Sequence, residues 1–230
     1  MDNLLPADLI ANGAVPQTTL IMILMLPVIG TILGISKHVI GFKSLGLYAP
    51  IILTYAYFEL GLSSGQDNWF QQFWYGVKVG LILTLIVFIT SYFAHIVTKA
   101  IRLHYFPKIA LVLTAVAASV YLLIILADLT DKNTFLSTGF LPIILIATVS
   151  EQFVGVLAQK NLKTAASLTF STILVAIFAF SLVIYNDFQD LIINRPYLLL
   201  ITLVLNVAVG KFTGLRISEY MRFKDILNKK

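Results

Sequence analysis

The sequence predicts an all-α integral membrane protein: a bundle of seven transmembrane helices with its N-terminus outside and its C-terminus in the cytoplasm. Three observations carry this expectation. Apolar residues make up 59% of the 230-residue chain and charged residues only 12%, about half the roughly 25% with which a soluble domain faces water. Apolar runs of about the 20 residues that a bilayer-spanning helix needs recur along the whole chain. The cations gather between alternate runs, as a multi-pass topology requires.

The first run covers 18–36. Residues 1–17 before it hold Asp2 and Asp8 and no cation. A cleaved signal would begin with positive charge, so the first helix is expected to stay and 1–17 to form an external segment. The second run, 45–62, contains Pro50, which either kinks it or marks where a preceding non-helical stretch ends. The third, 77–97, follows Trp69, Phe70, Phe73, Trp74 and Tyr75, an aromatic cluster suited to the headgroup level. Lys78, one turn further, can snorkel outward from that belt; the alternative is a buried cation facing a pathway. The fourth, fifth and sixth runs cover 109–127, 140–157 and 165–185. The seventh, 196–212, is short unless its helix continues through Gly210 into the cytoplasm. The membrane domain is therefore drawn over 18–223, with 224–230 as a basic tail.

Of the 16 cations, only Lys78, Lys132 and Arg195 fall on the side that collects Asp2, Asp8, Asp67, Asp128, Asp131, Asp187 and Asp190. The other side takes Lys37 and Lys43, Lys99, Arg102 and Lys108, Lys160 and Lys163, and the C-terminal group from Lys211 onward. The positive-inside rule places the second set in the cytoplasm, and seven is an odd number of spans, as such a topology demands.

Several chemistries are excluded or left without support. There is no cysteine, hence no disulfide, thiolate nucleophile or cysteine-bound metal. His38, His95 and His104 form no His-x-x-x-His pair, which argues against a zinc hydrolase. A retinal protein needs a mid-membrane lysine on its last helix, where this chain has Asn206, with Lys211 only at the cytoplasmic end. A transporter often shows matched interrupted segments, and the sequence displays none. No cofactor and no nucleic-acid partner are expected; the surroundings are the lipid bilayer.

A few polar residues stand out within the apolar runs. Glu151 lies about two-thirds of the way along the fifth, where an unpaired carboxylate is expensive and must be neutral, paired or facing water inside the bundle. It is either a proton- or ligand-responsive site or an acid holding a cation of the seventh helix, with Lys211 and Arg216 as the natural partners. Arg216, Glu219 and Arg222 are spaced i, i+3, i+6, so on a helix Glu219 reaches both arginines. Gly210 and Gly214 form a Gly-x-x-x-Gly pair that permits close helix approach, although six cations in this region also suit an anionic leaflet. Tyr48, Tyr55 and Glu59 share a face of the second helix, as an interfacial belt or an outward polar patch. His95 is expected to hydrogen-bond within the bundle, and Asn206 to join two helices.

Three stretches carry a resemblance: "KHVIGFKSLGLYAPIILTYAYFELGL" (37–62), "PIILIATVSEQF" (142–153) and "VGKFTGLRISEYMRFK" (209–224). They resemble a bacterial family whose seven-helix membrane domain is usually fused to an inactive transglutaminase-like domain. Gly41, Lys43, Gly46, Pro50, Phe58, Glu59, Gly61 and Leu62 fall at the first motif's places, with Ser44 and Leu45 departing from its Thr-Phe. Glu151 matches the fifth-helix Glu-Arg pair, but Gln152 replaces the arginine. Gly210, Phe212, Thr213, Gly214, Arg216, Glu219, Arg222 and Phe223 match the closing motif. The resemblance implies a multi-pass protein of the bacterial cytoplasmic (inner) membrane. It also implies a separate periplasmic transglutaminase-like domain, or an ATP-grasp ligase-like protein, as partner. The expected function is a non-enzymatic module that senses, signals or scaffolds for such a peptide-binding partner. The alternative is a small-solute or proton-coupled transporter using Glu151.

Overall fold

The computed structural model describes residues 10, 13, 15–101, 104–129 and 139–211. All regular structure among them is helical. The helices are α1 (Gln17–Ile35), running into a π-helical turn (Ser36–Ile40), α2 (Tyr48–Leu62), α3 (Trp69–Ile101), α4 (Tyr105–Leu129), α5 (Phe140–Gln159), α6 (Leu162–Val183), α7 (Asn186–Asn194) and α8 (Leu198–Gly210). Five segments are long and apolar enough to cross a bilayer: α1 with its π turn, α3, α4, α5 and α6. The chain is thus a multi-pass membrane protein.

The other two expected spans have unexpected shapes. The second begins only at Tyr48, so its 15-residue helix is about 22 Å long against a core of about 30 Å. Pro50 marks the end of a non-helical stretch and does not kink a longer rod. It sits in the first turn, where a backbone N–H has no helical acceptor to lose; Pro107 and Pro142 occupy the same place in α4 and α5. The stretch before α2 starts at Gly41, whose φ of 90° is left-handed and so favours glycine. Both Gly41 and Phe42 donate their N–H groups to the Ser36 carbonyl at 3.0 Å, closing the π turn.

The seventh span is preceded by α7, where sequence reading expected a loop. Asp187, Asp190 and flanking amides give α7 a polar side, while Ile192 and Ile193 are buried. It is bent by 102° from α8, and that composition suits an interface and not a bilayer core. α8 itself has 13 residues and buries none of them. The expected run of this helix to about Arg222 lies outside the described residues.

The chain divides into two units, Leu45–Ile184 and the paired ends Met1–Ser44 with Tyr185–Lys230. In the terminal unit α1 packs on α8. Asn206 donates from its side-chain Nδ2 to Thr31 Oγ1 at 3.0 Å, the interhelical bond expected of that amide.

In the central unit α2 packs against α3, α5 and α6. Lipid is as apolar as leucine, so helices in a membrane gain from close contact more than from burial itself. The contact here is built on glycine. Tyr57 and Phe180 are fully buried, and Gly76 and Gly80, one turn apart on α3, make room for them. A Cβ on Gly76 would come within 2.6 Å of the Tyr57 carbonyl and 2.8 Å of Phe180; one on Gly80 would strike the Tyr57 ring. The Tyr57 hydroxyl meets Thr84 Oγ1 at 3.1 Å, so the phenol is satisfied inside the bundle. Other hydroxyls bond back within their own helix, such as Ser91 to Val87 and Thr169 to Ala165, which keeps polar groups satisfied away from water.

The aromatic cluster before the third span forms the first two turns of α3, which therefore starts eight residues earlier than the apolar run. Its rings lead edge to face from Trp69 through Phe70 to Trp74 and Phe73, and Phe73 stacks on Phe180 at 5.4 Å. Lys78 is exposed and lines an open cleft with Phe70, Trp74 and Tyr75. That is the anchoring arrangement, and not a cation sealed in the bundle.

Candidate functional site

Glu151 is half-buried on α5, and among the described residues its hydrogen-bond partner is a phenol. The Tyr105 hydroxyl, from the first residue of α4, donates to Glu151 Oε1 at 2.7 Å. Tyr105 is itself exposed and stands edge-on to Phe106. A phenol can donate to a carboxylate or accept from a carboxylic acid, so this pair keeps its bond in either protonation state of Glu151.

The neighbouring Gln152 reaches in another direction. Its Oε1 lies 2.7 Å from where a Cβ on Gly46 would sit, so a glycine there leaves space for the amide. The next residue back, Leu45, donates its N–H to Thr172 Oγ1 on α6 at 2.9 Å, while Thr172 also bonds the Leu168 carbonyl. Beyond Pro50, Thr54 Oγ1 lies 2.8 Å from the Pro50 carbonyl and 3.3 Å from that of Ala176. The non-helical entry to α2 is thereby tied to α5 and α6, and its polar backbone gains partners that lipid cannot supply. Two motifs far apart in sequence, the one around Gly46 and the Glu151–Gln152 pair, thus meet in the fold.

A second polar group occupies the end of α3. His95 is buried, and its Nδ1 has no hydrogen-bond partner among the described residues. The expectation that His95 is bonded within the bundle is not met at that nitrogen. The charges of Lys108 and Lys99 both bear on it, so this end of α3 and α4 is electropositive.

Other expected residues are not brought together. Glu59 is half-buried on α2, about 16 Å of helix rise beyond Tyr48, at the opposite end of α2 from Gly46. Lys43 and Lys211 are exposed. Gly210 ends α8 with open space where a Cβ would go. Thr213, Gly214, Arg216, Glu219, Arg222 and Phe223 lie outside the described residues, and with them the expected pairing of Glu151 to the seventh helix.

Sequence reasoning missed Tyr105 and the Gly76–Gly80 pair. In sequence Tyr105 lies between Arg102 and Lys108, whose charges speak to topology, yet a tyrosine opening the fourth helix at Glu151's end of the bundle was a usable signal. The Gly-x-x-x-Gly spacing of "GVKVG" was equally legible, but Lys78 in its middle claimed the interest.

A family described as seven transmembrane helices usually fused to an inactive transglutaminase matches residues 5–227. No curated protein and no solved structure matches the chain.

Proposed function

The chain belongs to this family of seven-transmembrane-helix domains usually fused to an inactive transglutaminase, and on that premise we propose that it is a non-enzymatic module of the bacterial inner membrane. It senses, signals or scaffolds for a transglutaminase-like, peptide-binding partner on the periplasmic side. The family match over nearly the whole chain carries the reading. A transglutaminase fold without turnover serves by binding, and a bound state outside the membrane is useful only if helices hold it or report it. An ATP-grasp ligase-like protein is the second candidate partner.

The cation distribution supports an outside N-terminus and a cytoplasmic C-terminus. Seven spans follow if the non-helical entry completes α2 and if α8 continues past Gly210. At 13 residues α8 rises only about 20 Å of the roughly 30 Å required, so continuation toward Arg222 supplies the missing length. Arg216 then approaches Glu151 from the seventh helix, and Tyr105 serves as the carboxylate's second partner.

One observation favours a second reading. Non-helical backbone docked among membrane helices, as at 45–47, is how transporters line a site for a solute or coupling ion, and Glu151 is adjacent through Gln152 and Gly46. Purified protein in sealed liposomes separates the two. A module of the first kind gives no proton or solute flux above empty vesicles and retains a transglutaminase-like partner on affinity resin. Flux that Glu151→Gln abolishes, without partner binding, establishes the transporter.

A further inference from the structure

Between α3 and α6 runs an open groove of about 480 Å³ whose lining is almost wholly apolar. Phe88 and Phe153, with ring centroids 4.8 Å apart, form its floor, and Phe93 and Phe170 stand up at its sides, each more than half exposed. Ala166 and Thr169 form the waist; the Thr169 hydroxyl bonds back to the Ala165 carbonyl, leaving its methyl for the groove. On α6 the lining extends from Leu162 to Ile173.

Dimensions decide what fits. Eleven residues of helix rise about 16 Å, close to half of a bilayer core of about 30 Å. The groove therefore covers the depth of one leaflet. A volume of about 480 Å³ over that length leaves a channel narrower than a helix of about 10–12 Å diameter and suited to a single hydrocarbon chain. Charge decides which lipid. Leu162 ends the groove at the first residue of α6, and exposed Lys160 and Lys163 flank it. Among the described residues no carboxylate lines the groove.

We propose that this groove is a binding site for an anionic phospholipid, with one acyl chain lying between α3 and α6 and the phosphate held by Lys160 and Lys163. The lysines supply selectivity and the aromatic walls hold the chain; juxtamembrane cations each favour an anionic lipid by about fivefold.

The chain has no cysteine, so a single introduced one reports from the site. Ser167→Cys, exposed beside the groove but outside its lining, is labelled with a fluorophore and placed in vesicles of phosphatidylcholine and phosphatidylglycerol, one or the other carrying brominated acyl chains as quencher. Half-quenching is expected at a mole fraction of brominated phosphatidylglycerol several-fold below that of brominated phosphatidylcholine. Lys160→Gln with Lys163→Gln removes the difference, and Ala166→Phe weakens quenching by both. Native mass spectrometry of the unaltered protein covers the case of a variant that fails to fold: it is expected to retain one phosphatidylglycerol in preference to phosphatidylcholine. Equal quenching curves for the two lipids, or equal retention by the unaltered protein, overturn the proposal. So does absence of quenching with disulfide cross-linking of unlabelled position 167 between two chains, which makes the groove a contact between copies.

Discussion

Tyr57 and Glu151 belong to the same unit, Leu45–Ile184, but their surroundings are opposite. Tyr57 is sealed between two glycines and a phenylalanine, its hydroxyl matched to Thr84. Glu151 is half-buried, and the tyrosine that holds it is exposed. The first region has no room to change without moving backbone. The second holds a titratable group, a phenol that bonds either of its states, and an electropositive helix end. The closed region is built on α2, α3 and α6, and the open one on α4 and α5.

The largest break should come at the closed region. Gly76→Val places methyls against the Tyr57 carbonyl, which cannot move aside as a side chain would, and overpacking of this kind costs about 1–3 kcal/mol or more. Loss of monodisperse protein in detergent is the expected result. Gly155→Val on α5, where a Cβ meets nothing within 4 Å among the described residues, is the control and should run as wild type on the same column.

Glu151→Gln should act next. If the carboxylate holds Arg216, thermal stability in detergent falls with either Glu151→Gln or Arg216→Met. The double change costs less than the two losses added, with a coupling of about 0.5–3 kcal/mol. Additive losses would mean that the wrong residues have been paired. Unchanged or raised stability together with a lost signal would move Glu151 from structure to sensing.

Tyr57→Phe sharpens the comparison from the closed side. It keeps the ring packing and removes only the bond to Thr84, worth about 0.6 kcal/mol and at most about 1.7 for a hydrogen bond between membrane helices. A small drop in melting midpoint with unchanged oligomeric behaviour is expected. Tyr105→Phe is the matching change at the open side and should be smallest, because its partner is reached from an exposed position. Differential scanning fluorimetry should find no shift; a large one would show that the Glu151 region carries load after all.

Much of the fold was legible because membrane helices announce themselves by length and polarity. The runs at 109–127, 140–157 and 165–185 lie within or nearly within α4, α5 and α6. What the pattern concealed was backbone. The apolar runs leave a gap at 37–44 but give 45–47 to the second helix; these residues are non-helical, with Leu45 bonded to Thr172 and Gly46 against Gln152, more than 100 positions away. α7 hides in the sequence because nine residues with two acids fail any test for a span, although their apolar face is plain once helical. Glu151 stood out from cost alone, yet its phenol partner did not, since a tyrosine near a helix end is ordinary in a membrane protein.

The bond from Asn206 to Thr31 spans 175 positions, and this gives the protein a schedule. Ribosomes add about 5–20 residues per second, so α1 emerges roughly 9–35 s before the helix that completes its unit. During that interval Thr31 has its own Pro27 carbonyl as acceptor but no amide to receive from, while the central helices are made and packed. α1 is therefore made long before the helix it packs on, and any factor that shelters a young membrane helix has a long task there.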